Sequence, residues 1–238
     1  MKVFSATDIG RKRQVNQDFV FTSEGAVGNL PNLLVVADGM GGHNAGDFAS
    51  RYGVSVLVES VRKDRNFNPV KILRNAIEAA NHEIFSQAEI DPSMSGMGTT
   101  TVACTVVGGY AYVANVGDSR LYVAGKELTQ ITQDHSLIAE MVRLGEITPE
   151  QGRKHPDKNI ITRAVGTAAD VRIDFFDFKL EPGERILMCS DGLSNMVDED
   201  LIFAILKEGS AEECVHHLID EANANGGRDN IAVVVAEI

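Results

Sequence analysis

Short apolar runs separated by glycine-rich polar turns dominate the sequence. The clearest is Leu-Leu-Val-Val-Ala at residues 33–37, which is too short for a helix, contains β-branched side chains and so predicts a buried strand. The other runs that predict strands are residues 99–107, 110–116, 121–124, 174–180, 185–190 and 231–236. We therefore expect much of the chain to be β-structure.

Helical spacing of apolar residues appears between these strands. After a glycine loop, apolar residues recur at positions 45, 48, 49, 52 and 56, which predicts an amphipathic helix to about residue 62. Asn68 and Pro69 then supply the N-cap and the first position of a second helix. The remaining predicted helices are residues 136–144, a short one from about Pro149, residues 198–207 and residues 211–224.

The order of these elements predicts the fold class. Strands interrupted twice by pairs of helices give too few crossovers for an all-parallel sheet, so we expect antiparallel sheets stacked face to face with helices outside. Two local pairings are also predicted, namely an opening hairpin with its turn at residues 10–13 and a meander over residues 99–124. No composition break divides the 238 residues, which predicts one α+β domain.

Charge and composition narrow the function classes. The formal net charge of −12 argues against a protein that binds nucleic acid or an anionic membrane surface. The N-terminus lacks an apolar stretch long enough for a signal peptide, and no apolar run approaches the length of a membrane helix, so we expect a cytoplasmic protein. The cysteines are Cys104, Cys189 and Cys214; they lie far apart in apolar contexts and are interpreted as reduced core residues.

Aspartates recur at the ends of the predicted strands. Asp38 and Asp191 each end an apolar run and precede glycine, Asp118 follows the strand at 110–116, and Asp229 precedes the last strand. A single Asp-Gly pair is more often a turn, but several aspartates at strand ends can converge at one edge of a sheet. Clustered carboxylates repel one another unless cations lie between them, and oxygen donors favour Mg²⁺ or Mn²⁺, with Ca²⁺ as an alternative.

Other hydrolytic chemistries lack their residue patterns. No cysteine is followed six positions later by arginine, and Gly125-Lys126 lacks the rest of a phosphate-binding loop. His82-Glu83 lacks the second histidine of a zinc protease helix. Ser119 and Ser190 lack the flanking glycines of a nucleophile elbow. Metal-assisted hydrolysis remains.

Seven motifs together resemble the protein phosphatase 2C family of metal-dependent phosphatases, in its compact bacterial form. In chain order, the motifs are Arg13 with Asn16-Gln-Asp18, Asp38-Gly-Met-Gly-Gly-His43, Ser95-Gly-Met-Gly-Thr-Thr100, Asn115-Val-Gly-Asp-Ser-Arg120, Asp134-His-Ser, Ser190-Asp-Gly-Leu-Ser194 and Gly227-Arg-Asp-Asn230. The resemblance implies a four-layer α/β/β/α sandwich of two antiparallel sheets flanked by helices. It also implies hydrolysis of phosphoserine and phosphothreonine in proteins at a binuclear centre of Mn²⁺ or Mg²⁺.

The resemblance further implies a ligand set for these ions. Asp38 would bridge the two metals, and the carbonyl group of Gly39 would bind the second. Asp191 and Asp229 would complete the first metal, and Asp18 would hold a water molecule of the metal shell. Two such ions would activate a water for attack on phosphorus without a covalent phosphoenzyme.

Three further roles follow from the same resemblance. Asp118 and Asp191 would bind a third ion, and Arg13 would bind the phosphate. His43 would be either the general acid for the leaving oxygen or a loop histidine that contacts substrate. It stands three positions beyond Met40, where eukaryotic members of the family carry histidine.

The polar segment at residues 144–168 predicts a mobile flap or lid beside the site. The expected partners are phosphorylated proteins, including a cognate serine/threonine kinase, and we expect a monomer. Two alternatives are a non-catalytic member of the fold that binds phosphoproteins and an acidic calcium-binding module. The first should have lost metal aspartates, which this chain retains, and the second lacks an EF-hand loop.

Overall fold

Two antiparallel sheets form the centre of the computed structural model, which describes residues 1–42, 45–153 and 155–238. The first sheet has the spatial order β1 (Lys2–Asp8), β11 (Ile231–Glu237), β10 (Arg185–Cys189), β7 (Arg120–Ala124) and β8 (Leu128–Gln130). The second has the order β2 (Asp18–Ser23), β3 (Leu33–Met40), β5 (Thr101–Val107), β6 (Tyr110–Val116) and β9 (Asp174–Lys179), and β4 (Gly98–Thr99) also pairs with β3.

Helices cover the outer face of each sheet. The helices are α1 (Ala45–Lys63), α2 (Pro69–Ile90), α3 (Leu137–Arg143), α4 (Pro149–Arg153), α5 (Asp191–Ser194), α6 (Glu199–Leu206) and α7 (Ala211–Ala224). One buried cluster joins α1 and α2 to the second sheet, and another joins α6 and α7 to the first. A third lies between the sheets. The predicted α+β sandwich of four layers is confirmed.

Strand β3 shows why its sequence is a continuous apolar run. Leu33 and Val35 point into the cluster under the helices, whereas Leu34 and Val36 point into the cluster between the sheets. Because both faces of the strand are buried, alternation of apolar and polar residues is absent. The helix limits also follow the sequence: the side chain of Asn68 caps α2 by accepting from the backbone N–H of Lys71 over 3.0 Å.

Of the two predicted local pairings, the hairpin is wrong, and the meander is correct only for β5 and β6, which pair antiparallel. Strands β1 and β2 do not form a hairpin, because β1 pairs with β11 and β2 pairs with β3 in the other sheet. The meander ends after β6, and the chain crosses to the first sheet to form β7. Gly117 makes this crossover with φ of 108°, and a Cβ there would lie 2.6 Å from the Cβ of Thr100. Short-range patterns specify strands, but not the partners that lie far apart in sequence.

A long segment between β8 and β9 contains α3 and α4 and then returns to the core without regular structure. The return is fixed at Val165, which exchanges two backbone hydrogen bonds with Thr99 over 2.9 and 2.8 Å. Gly166 follows and donates its N–H to the Asn81 side chain over 2.7 Å. Among all helices within the described ranges, none is long and apolar enough to cross a membrane.

Candidate metal centre

Strand pairing brings the predicted aspartates to one end of the sandwich. Asp18 and Asp38 are paired residues of β2 and β3. Asp191 follows β10, and Asp229 precedes β11, the strand that pairs with β10. Gly192 keeps these two ends in contact, because a Cβ at this position would lie 1.9 Å from the carbonyl oxygen of Asn230. The two sheets therefore each contribute carboxylates to the same cluster.

Burial and mutual repulsion make this cluster unfavourable for negative charge. Burial is the largest cause that raises the pKa of Asp38 well above its usual value, and the charges of Asp18, Asp191, Asp118 and Asp229 raise it further. Burial likewise raises the pKa of Asp18 to about 7, of Asp118 to about 8 and of Asp191 to about 6. Cations placed among these groups would offset both effects.

Unpaired oxygen atoms test whether the residues fit divalent cations. In the described part of the chain, Asp18 Oδ1 and Asp191 Oδ1 are buried without a hydrogen-bond donor, apart from the Asp38 carboxyl group, which can donate to Asp18 only when protonated. A buried acceptor without a donor is costly unless something else satisfies it. Over the same ranges, no group of three or more Asp, Glu, His or Cys side chains has an arrangement that could already hold a metal ion. The residue types still fit these cations, because the unpaired buried atoms are carboxylate oxygens, the donors that Mn²⁺ and Mg²⁺ take.

The backbone of Asp38 is fixed by two threonines. Its N–H donates to Thr100 Oγ1 over 2.9 Å, and its carbonyl oxygen accepts from the Thr100 N–H over 2.8 Å. Thr99 Oγ1 donates to the same carbonyl oxygen over 3.0 Å. Neither threonine had a predicted role, although both end the motif Ser95-Gly-Met-Gly-Thr-Thr100 quoted above. Their membership in that motif was the available indication.

Gly39 lies where only glycine fits. Its N–H donates to the carbonyl oxygen of Gln17 over 3.0 Å, and a Cβ at Gly39 would lie 1.9 Å from the carbonyl oxygen of Gly46 in α1. The start of α1 therefore packs directly on the backbone that follows Asp38.

Hydrogen bonds orient the other carboxylates. Ser190 Oγ donates to Asp18 Oδ2 over 2.6 Å, and Asn195 Nδ2 donates to Asp191 Oδ2 over 3.0 Å. In both aspartates the other oxygen, Oδ1, is the one without a donor. Ser190 is fully buried and was not predicted to have this role, although it begins the motif Ser190-Asp-Gly. These two hydrogen bonds leave Asp18 and Asp191 each with one buried carboxylate oxygen that could bind a cation.

Arg13 reaches the cluster from the loop between β1 and β2. Its Nη2 donates to Asp229 Oδ2 over 2.7 Å, and the side chain stays 48% exposed. Asn230 holds this loop, because its Nδ2 donates to the carbonyl oxygens of Ile9 and Val15, both over 3.0 Å. The guanidinium group of Arg13 thus lies at the solvent side of the cluster with donors left for an anion.

A cleft of about 1060 Å³ opens beside the carboxylates. Asp118 and Asp191 line it together with residues of the long segment, among them Lys158 and Arg163. The predicted His43 lies outside the described residues. Among the described residues, the structure brings Asp18, Asp38, Gly39, Asp118, Asp191, Asp229 and Arg13 to one end of the sandwich.

Comparisons with known proteins extend over nearly the whole chain. A family model described as protein phosphatase 2C matches residues 9–220. A serine/threonine phosphatase, stp, of Listeria monocytogenes is 40% identical over 239 residues, which are 97% of this chain and 93% of that protein. The crystal structure of the serine/threonine phosphatase Stp1 from Staphylococcus aureus has a TM-score of 0.93 and 35% identity, covering 100% of this chain and 94% of that one. The catalytic domain of the phosphatase PstP in complex with 2 manganese ions has a TM-score of 0.88 and 35% identity, covering 99% of this chain and 97% of that one.

Proposed function

Because the chain belongs to the protein phosphatase 2C family, we propose that it hydrolyses phosphoserine and phosphothreonine in proteins at the carboxylate cluster described above. One observation carries this proposal: aspartates from both sheets meet at one end of the sandwich, with buried oxygens that have no donor, beside an exposed arginine. The enzyme is a metal-dependent serine/threonine protein phosphatase, and Mn²⁺ or Mg²⁺ is its cofactor.

The residues that would hold the cations are Asp38, Gly39 through its carbonyl group, Asp191 and Asp229, with Asp18 and Asp118 in supporting positions. When bound, divalent cations lower the pKa of water and balance the charge on a phosphoryl group. The protein supplies the orientation. Ser190 and Asn195 each bind one carboxylate oxygen, so one buried oxygen of Asp18 and one of Asp191 stay available for a cation.

The phosphate and the leaving oxygen need groups of their own. Arg13 carries a planar fork of donors, of which only one bond is made to Asp229, so it can bind phosphate oxygens while it orients that aspartate. A serine or threonine oxygen leaves as a poor anion unless it gains a proton. His43 follows Asp38 and Gly39 closely in sequence and stays our predicted donor for that proton.

Peptide hydrolysis separates the enzyme from the alternative of a non-catalytic phosphoprotein binder. We expect release of phosphate from phosphothreonine and phosphoserine peptides that requires added Mn²⁺ or Mg²⁺ and stops reversibly with chelator. A phosphotyrosine peptide of the same sequence measures selectivity. Binding of the phosphopeptides without any metal-dependent release of phosphate would favour the non-catalytic alternative.

Replacing Arg13 by Ala is expected to weaken kcat/KM for phosphopeptides about 10- to 100-fold, chiefly through KM, since a charge-assisted bond contributes about 1.5–3 kcal/mol. Arg13→Lys should recover little of this loss, because an ammonium group cannot bind phosphate and Asp229 in the same planar geometry. Steady-state kinetics with one phosphothreonine peptide measure both variants.

The neighbouring Lys12 offers a matched control, since it is exposed on the same loop. Lys12→Ala should leave KM close to that of the unaltered protein. Equal losses from Arg13→Ala and Lys12→Ala would show that the loop provides only general positive charge.

The segment at residues 144–168 is proposed to act as a lid that contacts phosphoprotein substrates, among them a cognate serine/threonine kinase, and we propose a monomer as the active form. The cleft supports this, because residues of the segment and two of the carboxylates, Asp118 and Asp191, line the same cleft. Lys158 lies near enough to Asp191 for its charge to lower the pKa of that carboxyl group, against the larger effect of burial.

Replacing residues 145–157 by a short Gly/Ser linker should lower kcat/KM for a phosphoprotein more than for nitrophenyl phosphate. The small substrate needs only the metal centre, whereas a protein also contacts the cleft. The linker leaves intact the hydrogen bonds of Val165 and Gly166 to the core. Parallel losses on both substrates would instead indicate that the segment only supports the fold.

A further inference from the structure

His135 lies outside the carboxylate cluster, but it is bonded to the residue that precedes Asp118. The N–H of Gly117 donates to His135 Nδ1 over 3.0 Å. The N–H of His135 in turn donates to the carbonyl oxygen of Gly117 over 2.9 Å. His135, which is only 6% exposed, therefore binds Gly117 through both its imidazole ring and its backbone N–H.

The hydrogen bonds fix the tautomer of His135. A backbone N–H can only donate, so Nδ1 carries no proton, and the Nε2–H donates to Asp174 Oδ2 over 3.0 Å. Arg163 Nη1 lies 3.1 Å from the same Nε2, but both atoms carry protons, so Arg163 instead donates to Asp174 Oδ1 over 2.9 Å. Burial is the main cause that lowers the pKa of His135, which agrees with a neutral ring.

The same histidine is joined to the returning part of the long segment. Its carbonyl oxygen accepts from the N–H of Thr162 over 2.8 Å. Two residues on, the N–H of Leu137 donates to the carbonyl oxygen of Ile160 over 2.9 Å. Residues 160–162 therefore run beside residues 135–137 like a short strand pair, and a shift of one is transmitted to the other.

A second anchor follows Asp118. Ser119 Oγ and Thr100 Oγ1 form a hydrogen bond of 2.7 Å, and both side chains are buried. Asp118 is thus suspended between two fixed points, with Gly117 held by His135 on one side and Ser119 held by Thr100 on the other. The side of His135 is the one connected to the cleft segment.

We propose that His135 is the positioning residue for Asp118. By accepting from the N–H of Gly117, it fixes the backbone so that the Asp118 carboxylate faces a divalent cation, and it connects this placement to residues 160–162. The inference rests on the assignment of Asp118 to a cation under the proposed function. It adds His135 as a residue that positions a metal ligand, Asp118, without itself binding the metal.

Two amide substitutions separate the two nitrogen atoms of the ring. In His135→Asn, the side-chain Oδ1 can replace Nδ1 as the acceptor for Gly117, but the side chain is too short to reach Asp174. In His135→Gln, the amide can replace Nε2 toward Asp174, but no acceptor stands near Gly117. The second variant should therefore lose the placement of Asp118, and the first should keep it.

Titration calorimetry with Mn²⁺ on the full chain gives a readout independent of turnover. Asp118→Asn identifies which binding event depends on that carboxylate. We expect His135→Gln to weaken this event about 10- to 100-fold, as removal of a group behind a ligand typically does, and His135→Asn to retain most of the affinity. The double variant His135→Gln with Asp118→Asn should bind no more weakly than Asp118→Asn alone.

Each outcome decides the inference. Equal weakening in His135→Asn and His135→Gln, or unchanged binding in His135→Gln, overturns it. Thermal melting in chelator identifies a variant that has failed to fold. In that case, Ser119→Ala tests the same loop from its other anchor, through its effect on Mn²⁺ affinity. If the effects of Ser119→Ala and Asp118→Asn on Mn²⁺ affinity are fully additive, the loop does not act through Asp118 and the inference is overturned. If Asp118→Asn binds Mn²⁺ as the unaltered chain does while peptide hydrolysis continues, the inference falls but the proposed activity stands.

Discussion

Asp38→Asn is expected to lower kcat on phosphopeptides by about 10³-fold or more while the fold persists, since it removes the charge at the centre of the cluster. Asp38 feels the charges of four other aspartates, which is the position expected of a carboxylate shared between cations. Steady-state kinetics at saturating Mn²⁺, with calorimetry to count bound ions, measure the loss. If Asp38→Asn in chelated buffer turned over substrate as fast as the unaltered chain with Mn²⁺, a mechanism through shared cations would be ruled out.

The same substitution should stabilise the metal-free protein. Carboxyl groups with a raised pKa bind more protons in the folded state than in the unfolded state, so they lower the free energy of unfolding increasingly as pH rises above about 4. This loss of stability continues through the pKa values of Asp191, Asp18 and Asp118, which are about 6, 7 and 8. In chelator at pH 8, Asp38→Asn should therefore raise the free energy of unfolding by about 1–3 kcal/mol, and the gain should shrink toward pH 5.

Chemical denaturation at the two pH values measures this difference, and Asp220→Asn, at an exposed position on α7, serves as the control. Saturating Mn²⁺ should reverse the order of stability, because only the unaltered chain gains the full binding energy of the cations. A gain of equal size at pH 5 and pH 8 would show that charge repulsion is not its cause.

Gly39→Ala is the second substitution with a large expected effect, and it acts through backbone alone. The new Cβ would lie 1.9 Å from the carbonyl oxygen of Gly46 and 2.9 Å from that of Gln17, and neither atom can rotate away. The strand end must shift, which should cost about 1–3 kcal/mol of stability and displace the proposed Gly39 ligand. We expect activity to fall on the order of 10²-fold, a size typical of a misplaced reacting group.

Gly42 provides the matched control in the same loop, because a Cβ there has no heavy atom within 4 Å. Gly42→Ala should keep most of the stability of the unaltered chain in thermal melts with chelator. If Gly39→Ala retained full activity and full stability, the close contact between Gly39 and Gly46 of α1 would not matter for function.

Local patterns predicted the elements well, because each depends on neighbours in sequence. The helix that begins at Pro69 follows from a capping residue and a proline, and both are close in the chain. The pairing of β1 with β11 joins Lys2 to Glu237, and no short pattern encodes that distance. The crossover at Gly117 was hidden for the same reason, since Gly-Asp also fits an ordinary turn.

The candidate site divides in a similar way. Aspartates at strand ends indicated the cluster, because their chemistry is visible in the residue type. The groups that hold them were not predicted, since a buried serine or threonine near an aspartate has no distinctive spacing. Ser190 lies 172 positions from Asp18, and Arg13 lies 216 from Asp229. Only the folded chain shows these partners.

The position of β11 has a consequence for how the enzyme is made. This strand lies between β1 and β10, and Asp229 stands two residues before it, so the first sheet and the candidate metal centre both lack a part until residues 229–237 are synthesised. Contacts this distant in sequence form late in folding. We therefore expect a chain truncated before residue 229 to be an inactive fragment, with unpaired strand edges that favour aggregation and degradation.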